Sequence, residues 1–311
     1  MTSSPPEDKP FHALKIPLRD VHEAATPSPE IKLAELETGE DSRKTFKYDD
    51  RTVAFIDILG FKEHIKASER DPDLVTKIYY ALSFETPSLS LAENFAKRLD
   101  LKPGTLKDIT HSFSDCIAIL TGTTPEEIGL LIFIVWQKSR ELLLNGFISR
   151  GGISIGKLYH DDSRLFGPAF NKAFQLESTH AGGARVILDT KTRQLIECYK
   201  AEHEGTLLKQ FFNTYVRRAN DGPAYVDLFG DIRSPGFSKD QPVPTEDIAK
   251  ISKVISAELD KSSDTPHHFQ KITFLARAFN EALGVGGRPY YIRRDTFPDA
   301  ILPPVSFDYI A

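Results

Sequence analysis

The sequence predicts an α/β sandwich in which helices pack against one sheet. Short apolar runs with strand character alternate with longer stretches of helical periodicity. Their order, strand, helices, hairpin, helix, strand, helix, strand, is that of a layered α/β (α+β) domain rather than an all-helical or all-β one. At 311 residues and 40% hydrophobic, the chain can bury one large core, or a core plus an appended lobe.

Each element has its own signal. Residues 1–48 read as a flexible arm, with Pro5-Pro6, Pro27-Ser28-Pro29 and a charged stretch at 35–47. The run at 52–57 is a strand, and the periodic segment 61–97 is a set of helices broken at Asp71-Pro72. Residues 107–113 and 116–120 read as two strands joined by a very tight turn at Ser114-Asp115. A long amphipathic helix follows at 125–145 and stops at Gly146. Alternation at 147–159 predicts a strand, 168–180 a helix, and 184–188 a further short strand. Beyond Thr190 the signals weaken, leaving helices at 246–259 and 267–283. The expected division is an arm at 1–48, a core at 49–200 and a C-terminal extension at 201–311, with no internal repeat.

Composition removes several function classes. A net charge of -5 without a basic stripe does not suit the phosphate backbone of DNA or RNA. Cys116 and Cys198 are the only cysteines and form no CxxC pattern, so neither a zinc ribbon nor a disulfide framework is expected. The longest apolar stretch, 128–135, is too short to span a bilayer, and the N-terminus lacks the apolar centre of a signal peptide. A cytoplasmic protein without membrane contact is expected.

Two aspartates carry the chemistry. Asp57 lies within Val53-Ala54-Phe55-Ile56-Asp57-Ile58-Leu59-Gly60-Phe61, and Asp115 within Ile109-Thr110-His111-Ser112-Phe113-Ser114-Asp115-Cys116-Ile117. A carboxylate inside an apolar strand is costly unless it is hydrogen-bonded, paired or bound to a cation. Asp57 could cap the next helix, and Asp115 could be a turn residue. If the hairpin packs beside the first strand, the two carboxylates converge and call for divalent cations. Gly60 lets the chain turn into a helix, so the amides of Leu59, Gly60 and Phe61 are expected to face a phosphate.

Four blocks resemble class III nucleotidyl cyclases. Phe55-Ile56-Asp57-Ile58-Leu59-Gly60-Phe61 is similar to their F-x-D-[IL]-x-G-F opening, and Phe113-Ser114-Asp115 to their second metal motif, where Gly-Asp is usual. Arg150-Gly151-Gly152-Ile153-Ser154-Ile155-Gly156 resembles R-x-G-I-x-x-G, and the run from Phe166-Gly167-Pro168 to Leu176-Glu177-Ser178 resembles W-G-x-x-V-N-x-A-x-R-L-E-S. The blocks keep the family's order and spacing. The resemblance implies a ferredoxin-like core and two ions, Mn2+ or Mg2+, held by Asp57, Asp115 and the Ile58 carbonyl. It further implies cyclisation of a nucleoside triphosphate, Asn171 orienting the ribose, and a homodimer with composite active sites.

Departures from the family refine this. His111 and Arg164 occupy the offsets that read adenine in adenylate cyclases, and arginine can only donate hydrogen bonds. Uracil, with two carbonyl acceptors, suits that pair, so UTP is favoured, with CTP as the alternative. Such departures resemble the bacterial Pycsar pyrimidine cyclases, antiphage enzymes whose cyclic UMP or cyclic CMP acts on a downstream effector. The segments His267-His268-Phe269-Gln270-Lys271-Ile272 and Phe279-Asn280-Glu281-Ala282-Leu283 are similar to their C-terminal extension. Gln175 replaces the arginine that stabilises charge on the transferring phosphoryl group, which opens the reading of a regulatory, catalytically weak homologue. Lys157, Lys172, Lys62 and Arg51 are the candidate replacements. Two features are decoys: the run 151–157 fits G-x-x-x-x-G-K but continues with Leu158 and reads as core strand, and Cys116 reads as core rather than nucleophile.

Overall fold

The computed structural model describes residues 46–83, 86–102, 110–161, 163–234, 242–292 and 306–307. The expected arm, up to residue 45, and the start of the expected strand at 107–109 lie outside these residues.

The chain opens with β1 (Asp49–Ile58), then α1 (Phe61–Ser68), α2 (Pro72–Leu82) and α3 (Thr86–Arg98). The predicted break falls where Asp71 caps α2, accepting from the amides of Asp73 and Leu74 ahead of a proline in the first turn. The hairpin β2 (Thr110–Phe113) and β3 (Cys116–Thr121) turns through two residues only, Ser114 and Asp115. Ser114 has φ 58°, the left-handed region that glycine occupies without cost. Next come α4 (Pro125–Leu144), opened by a capping box between Thr124 and Glu127, and β4 (Ser149–His160). The short β5 (Leu165–Phe166) leads to α5 (Pro168–Gln175), which runs on as one π-helical turn, Leu176–His180.

β1, β3, β2 and β4 form a ferredoxin-like unit: their order in the sheet is β2-β3-β1-β4, every neighbouring pair is antiparallel, and helices make both crossovers. The two faces of β1 serve different layers. Ala54 and Ile56 pack with α3 and α4, whereas Val53 and Phe55 pack with Ala169 and Ala173 of α5. Asp57 shares the second face. Glycines permit the α5 contact: a Cβ on Gly152 would lie 2.4 Å from the Ala173 carbonyl oxygen, and Gly156 faces Ala169. The glycine run at 151–157 is therefore buried strand, as expected, and no phosphate loop.

The sheet continues beyond this unit, first through the expected short strand and then through segments the sequence left weak. β6 (Val186–Leu188) pairs parallel to β4 and precedes α6 (Thr190–Glu202) and α7 (Leu207–Tyr215). β7 (Val216–Ala219) and β8 (Ala224–Val226) extend it, with α8 (Gly230–Arg233), α9 (Thr245–Lys261), α10 (Pro266–Leu283) and finally β9 (Ser306–Phe307) on β7. Residue 200 thus falls inside α6, and strands from both sides of it share one nine-stranded sheet. Helices α9 and α10 build a second core with Leu59, Ile148 and Ala184, directly behind the end of β1 that carries Asp57.

Candidate functional site

Strand register brings the two aspartates together. Asp57 pairs across with Cys116 on one side and Arg150 on the other, and the two-residue turn sets Asp115 next to Cys116. The Ile58 amide donates to the Asp115 carbonyl oxygen at 3.1 Å, tying the turn to the end of β1. Carboxylate oxygens of Asp57 and Asp115 and the sulfur of Cys116 all lie within 4.8 Å of one another, each residue half-buried. Asp57 does not cap α1, whose N-cap is Gly60 without any side-chain bond.

Two residues outside the expected site complete this cluster. Arg150 donates from Nε to Asp57 Oδ2 at 3.3 Å, and Glu177 Oε1 lies 2.5 Å from the same nitrogen without receiving its hydrogen. The π-helical turn after α5 brings Glu177 there, 3% exposed. Burial, reinforced by the Asp57 carboxylate and opposed by Arg150, pushes the Glu177 carboxyl up to about 7. Burial, with the carboxylates of Asp115, Asp57 and Glu177, pushes the Cys116 thiol up to about 12, so it stays protonated at neutral pH and is no nucleophile. The clue to Arg150 and Glu177 lay in their own motif blocks, but only register and the helix fold-back show that they meet Asp57.

The donor set fits a hard divalent cation: two half-buried carboxylates converge, and the only sulfur beside them keeps its proton. Of the amides expected to face phosphate, Leu59 is a correction. Its N–H donates to the Ile148 carbonyl oxygen at 2.7 Å, because Leu59 is drawn into the core behind β1. The Gly60 and Phe61 amides have no acceptor among the described residues, and Gly60 takes φ 69° to start α1.

Among the other expected site residues, Arg51 and Arg164 stand apart from the acid pair within one chain. Arg51 sits at the far end of β1, about 20 Å from Asp57 at the usual strand rise, and pairs with Asp49 at 3.8 Å. Arg164 lies in the turn beyond the far end of β4, roughly 30 Å from Arg150 by the same rise. Its guanidinium is 66% exposed and paired with Asp161 at 3.2 Å. Asp161 also accepts from Ser163 and Tyr159, bonds that hold its carboxyl well below the usual range. Asn171 and Gln175 stand one turn apart on the exposed side of α5, and Lys172 donates to Gln175 Oε1 at 3.3 Å. Lys157 is spent on Asp50 at 2.7 Å, and Lys62 is exposed on α1. His111 shares the sheet face of Phe55 through the register His111, Ala118, Phe55, and its Nε2 is buried with no partner among the described residues.

No family model matches the sequence, and no curated protein matches it. Solved structures similar to it include the crystal structure of a monomeric guanylyl cyclase domain of a RhoGC fusion protein from the aquatic fungus Blastocladiella emersonii. That likeness has 17% identity and a TM-score of 0.38 over 58% of this chain and 96% of that one. The guanylyl cyclase Cya2 is similar at 13% identity and TM-score 0.30, over 48% of this chain and 80% of that one. A bacterial light-regulated adenylyl cyclase is similar at 13% identity and TM-score 0.33, over 59% of this chain and 53% of that one. No helix among the described residues is long and apolar enough to cross a membrane.

Proposed function

We propose that the protein is a nucleotidyl cyclase that converts UTP to 3',5'-cyclic UMP and pyrophosphate, as a second-messenger synthase in antiphage defence. The observation that carries the proposal is the convergence of Asp57 and Asp115 at the end of β1, in a chain whose four motif blocks resemble class III cyclases. Asp57, Asp115 and the Ile58 carbonyl would hold Mn2+ or Mg2+, two ions per site. Bound there, such ions would supply charge that lowers the pKa of the ribose 3'-hydroxyl, for attack on the α-phosphorus, and stabilises the pyrophosphate leaving group. Arg150 lies against both Asp57 and Glu177, so it would remain a counter-charge for the buried Glu177 with a metal on Asp57. The Gly60 and Phe61 amides, without an acceptor among the described residues, support a phosphate contact in this reading.

The site is built between two copies in this reading. Asn171 and Gln175 are exposed on α5, Arg164 is exposed beyond the far end of β4, and a head-to-tail partner would bring its own set to the acid pair. The unpartnered Nε2 of His111 supports a role for that residue in reading the base, whereas the pairing of Arg164 with Asp161 weakens the case for UTP over CTP. Function in the cytoplasm rests on the reading of the N-terminus and of the apolar stretches, and a cyclic-nucleotide-activated effector on the resemblance. One observation favours a second reading, a regulatory homologue with weak catalysis: Gln175, exposed and bonded by Lys172, offers no cation at the transferring phosphoryl group.

The test is incubation of the full chain with ATP, GTP, CTP or UTP and Mn2+ or Mg2+, products resolved by mass spectrometry, beside an Asp57→Ala/Asp115→Ala control. Cyclic UMP that disappears in the control is the expected result. Cyclic CMP keeps the cyclase and rejects the base-reading assignment. Nucleotide binding without a cyclic product moves the protein to the regulatory reading.

A further inference from the structure

The neutral Gln175 leaves the site short of a cation, and the fold supplies one from outside the ferredoxin-like unit. Helix α10 is fastened beside Arg150 by backbone contacts. The Ala184 amide donates to the Lys271 carbonyl oxygen at 3.0 Å, and the Gly151 amide donates to the Arg185 carbonyl oxygen at 3.0 Å. Phe274, one turn along α10, lies under the Arg185 guanidinium at 4.4 Å and against Gly183, where a Cβ would come within 2.7 Å. Residue 271 is therefore held in place by packing as well as by hydrogen bonds.

Lys271 is half-buried, and its charge interacts with Asp57, Glu177 and Arg150 together. Arg150 is committed to Asp57 and Glu177, but Lys271 forms no ion pair and no side-chain hydrogen bond among the described residues. A lysine serving only to balance Glu177 would pair with it. Burial and the neighbouring Arg150 hold the ammonium below its usual range, a cost that an arriving anion removes.

We propose that Lys271, delivered by α10, binds the phosphate tail of the metal-bound substrate and takes over the charge role absent at Gln175. The proposal rests on the cyclase reading. An ammonium is a compact point charge with three donors, suited to a phosphate whose exact pose is set by metal and backbone amides. It also gives the C-terminal helices a part in the active site, because the packing that holds α10 fixes this cation.

Calorimetric titration of the full chain tests it, first with Mn2+ alone and then with inorganic tripolyphosphate at saturating Mn2+, for wild type, Lys271→Met and Lys271→Arg. The expected result is tripolyphosphate binding weakened about 10- to 100-fold in Lys271→Met, the range for a hydrogen bond to a charged group. Mn2+ affinity should be unchanged, and Lys271→Arg should recover most of the loss. Equal tripolyphosphate binding by wild type and Lys271→Met overturns the proposal, as does a parallel loss of Mn2+ affinity, which would mark Lys271 as part of the fold. If Lys271→Met lacks a cooperative thermal transition, Lys271→Gln decides by the same criteria. Wild-type protein that ignores tripolyphosphate also overturns the proposal, and the nucleotide product assay then decides separately whether the cyclase reading falls with it.

Discussion

Two clusters of buried charge among the described residues are built differently. Behind the outer strands, Arg140 pairs with Asp231 at 3.0 Å, Arg233 with Asp227 at 3.1 Å and with Glu281 at 2.9 Å, and Arg217 with Glu281 at 3.1 Å. Asp227 is fully buried and also accepts the Phe229 amide at 3.0 Å. Three carboxylates there are matched by three arginines, with Arg233 shared between Asp227 and Glu281, and together they join α4, β7, α8 and α10. At the end of β1, by contrast, Asp57, Asp115 and Glu177 stand with a single arginine among the described residues: Arg150 pairs with Asp57 and Glu177, and Asp115 converges on Asp57 without an ion pair of its own. A cluster with matched charges is complete as it stands. One with surplus carboxylates costs stability until a cation arrives.

The sharpest way to break the comparison is to delete one carboxylate from each cluster. Asp57→Asn or Asp115→Asn should abolish Mn2+ binding and lower turnover by at least about 10^3-fold, as expected when preorganised charge is lost from a reacting centre. Urea midpoints should hold or rise, since like charges are relieved. Asp227→Ala should do the opposite: a loss of roughly 3–5 kcal/mol in unfolding free energy, because two arginines then share Glu281 in a buried site. The protein that remains folded should still bind Mn2+. A destabilised Asp57→Asn, or an Asp227→Ala that unfolds like wild type, would erase the distinction.

The same contrast explains what the sequence could disclose. Asp57 and Asp115 stand out because an acid inside an apolar strand breaks a visible pattern, and the two-residue turn fixes their meeting. The helix at Pro125–Leu144 announces itself through Thr124, Pro125 and Glu127. β7, β8 and β9 stay hidden, being four, three and two residues long, and β7 carries Arg217 and Arg218 where an apolar alternation would be sought. Arg217 looks like a surface residue until Asp227 and Glu281 are seen beside it. Glu177 and Lys271 escape for a related reason: nothing local marks a glutamate after α5, or a lysine in α10, as a neighbour of Asp57. The Leu59 amide misleads because its strand partner, Ile148, pairs beyond the motif that suggested an open anion site.

A smaller effect should appear in the pH dependence of stability. Burial raises the Glu177 carboxyl from its ordinary 4.5 to about 7, so between those values the folded state binds more protons than the unfolded one. Stability is then greatest below pH 4.5 for this group and falls as pH rises through 7, by an amount on the order of 3 kcal/mol from the linkage relation. Glu177→Gln should flatten the melting temperature between pH 5 and 8. Saturating Mn2+ should shallow the wild-type slope as well, by neutralising the Asp57 carboxylate that helps raise Glu177. A wild-type slope that Glu177→Gln leaves untouched would place the titration elsewhere.

The smallest effect concerns Cys116, whose sulfur lies as close to the acid pair as a ligand would. Its thiol donates to Asp115 Oδ1 at 3.5 Å and keeps its proton near neutrality. A hard cation such as Mn2+ has little affinity for a protonated sulfur and should take the carboxylates. Cys116→Ser keeps the donor to Asp115, so Mn2+ affinity and turnover should change by less than about two-fold, well under the scale of one charged hydrogen bond. Zn2+ and Cd2+ can displace the thiol proton and bind sulfur, so their affinity should fall clearly in the same variant. If instead Cys116→Ser costs Mn2+ binding as much as Asp57→Asn does, the sulfur is a working ligand, and the acid pair is one part of a larger ligand set.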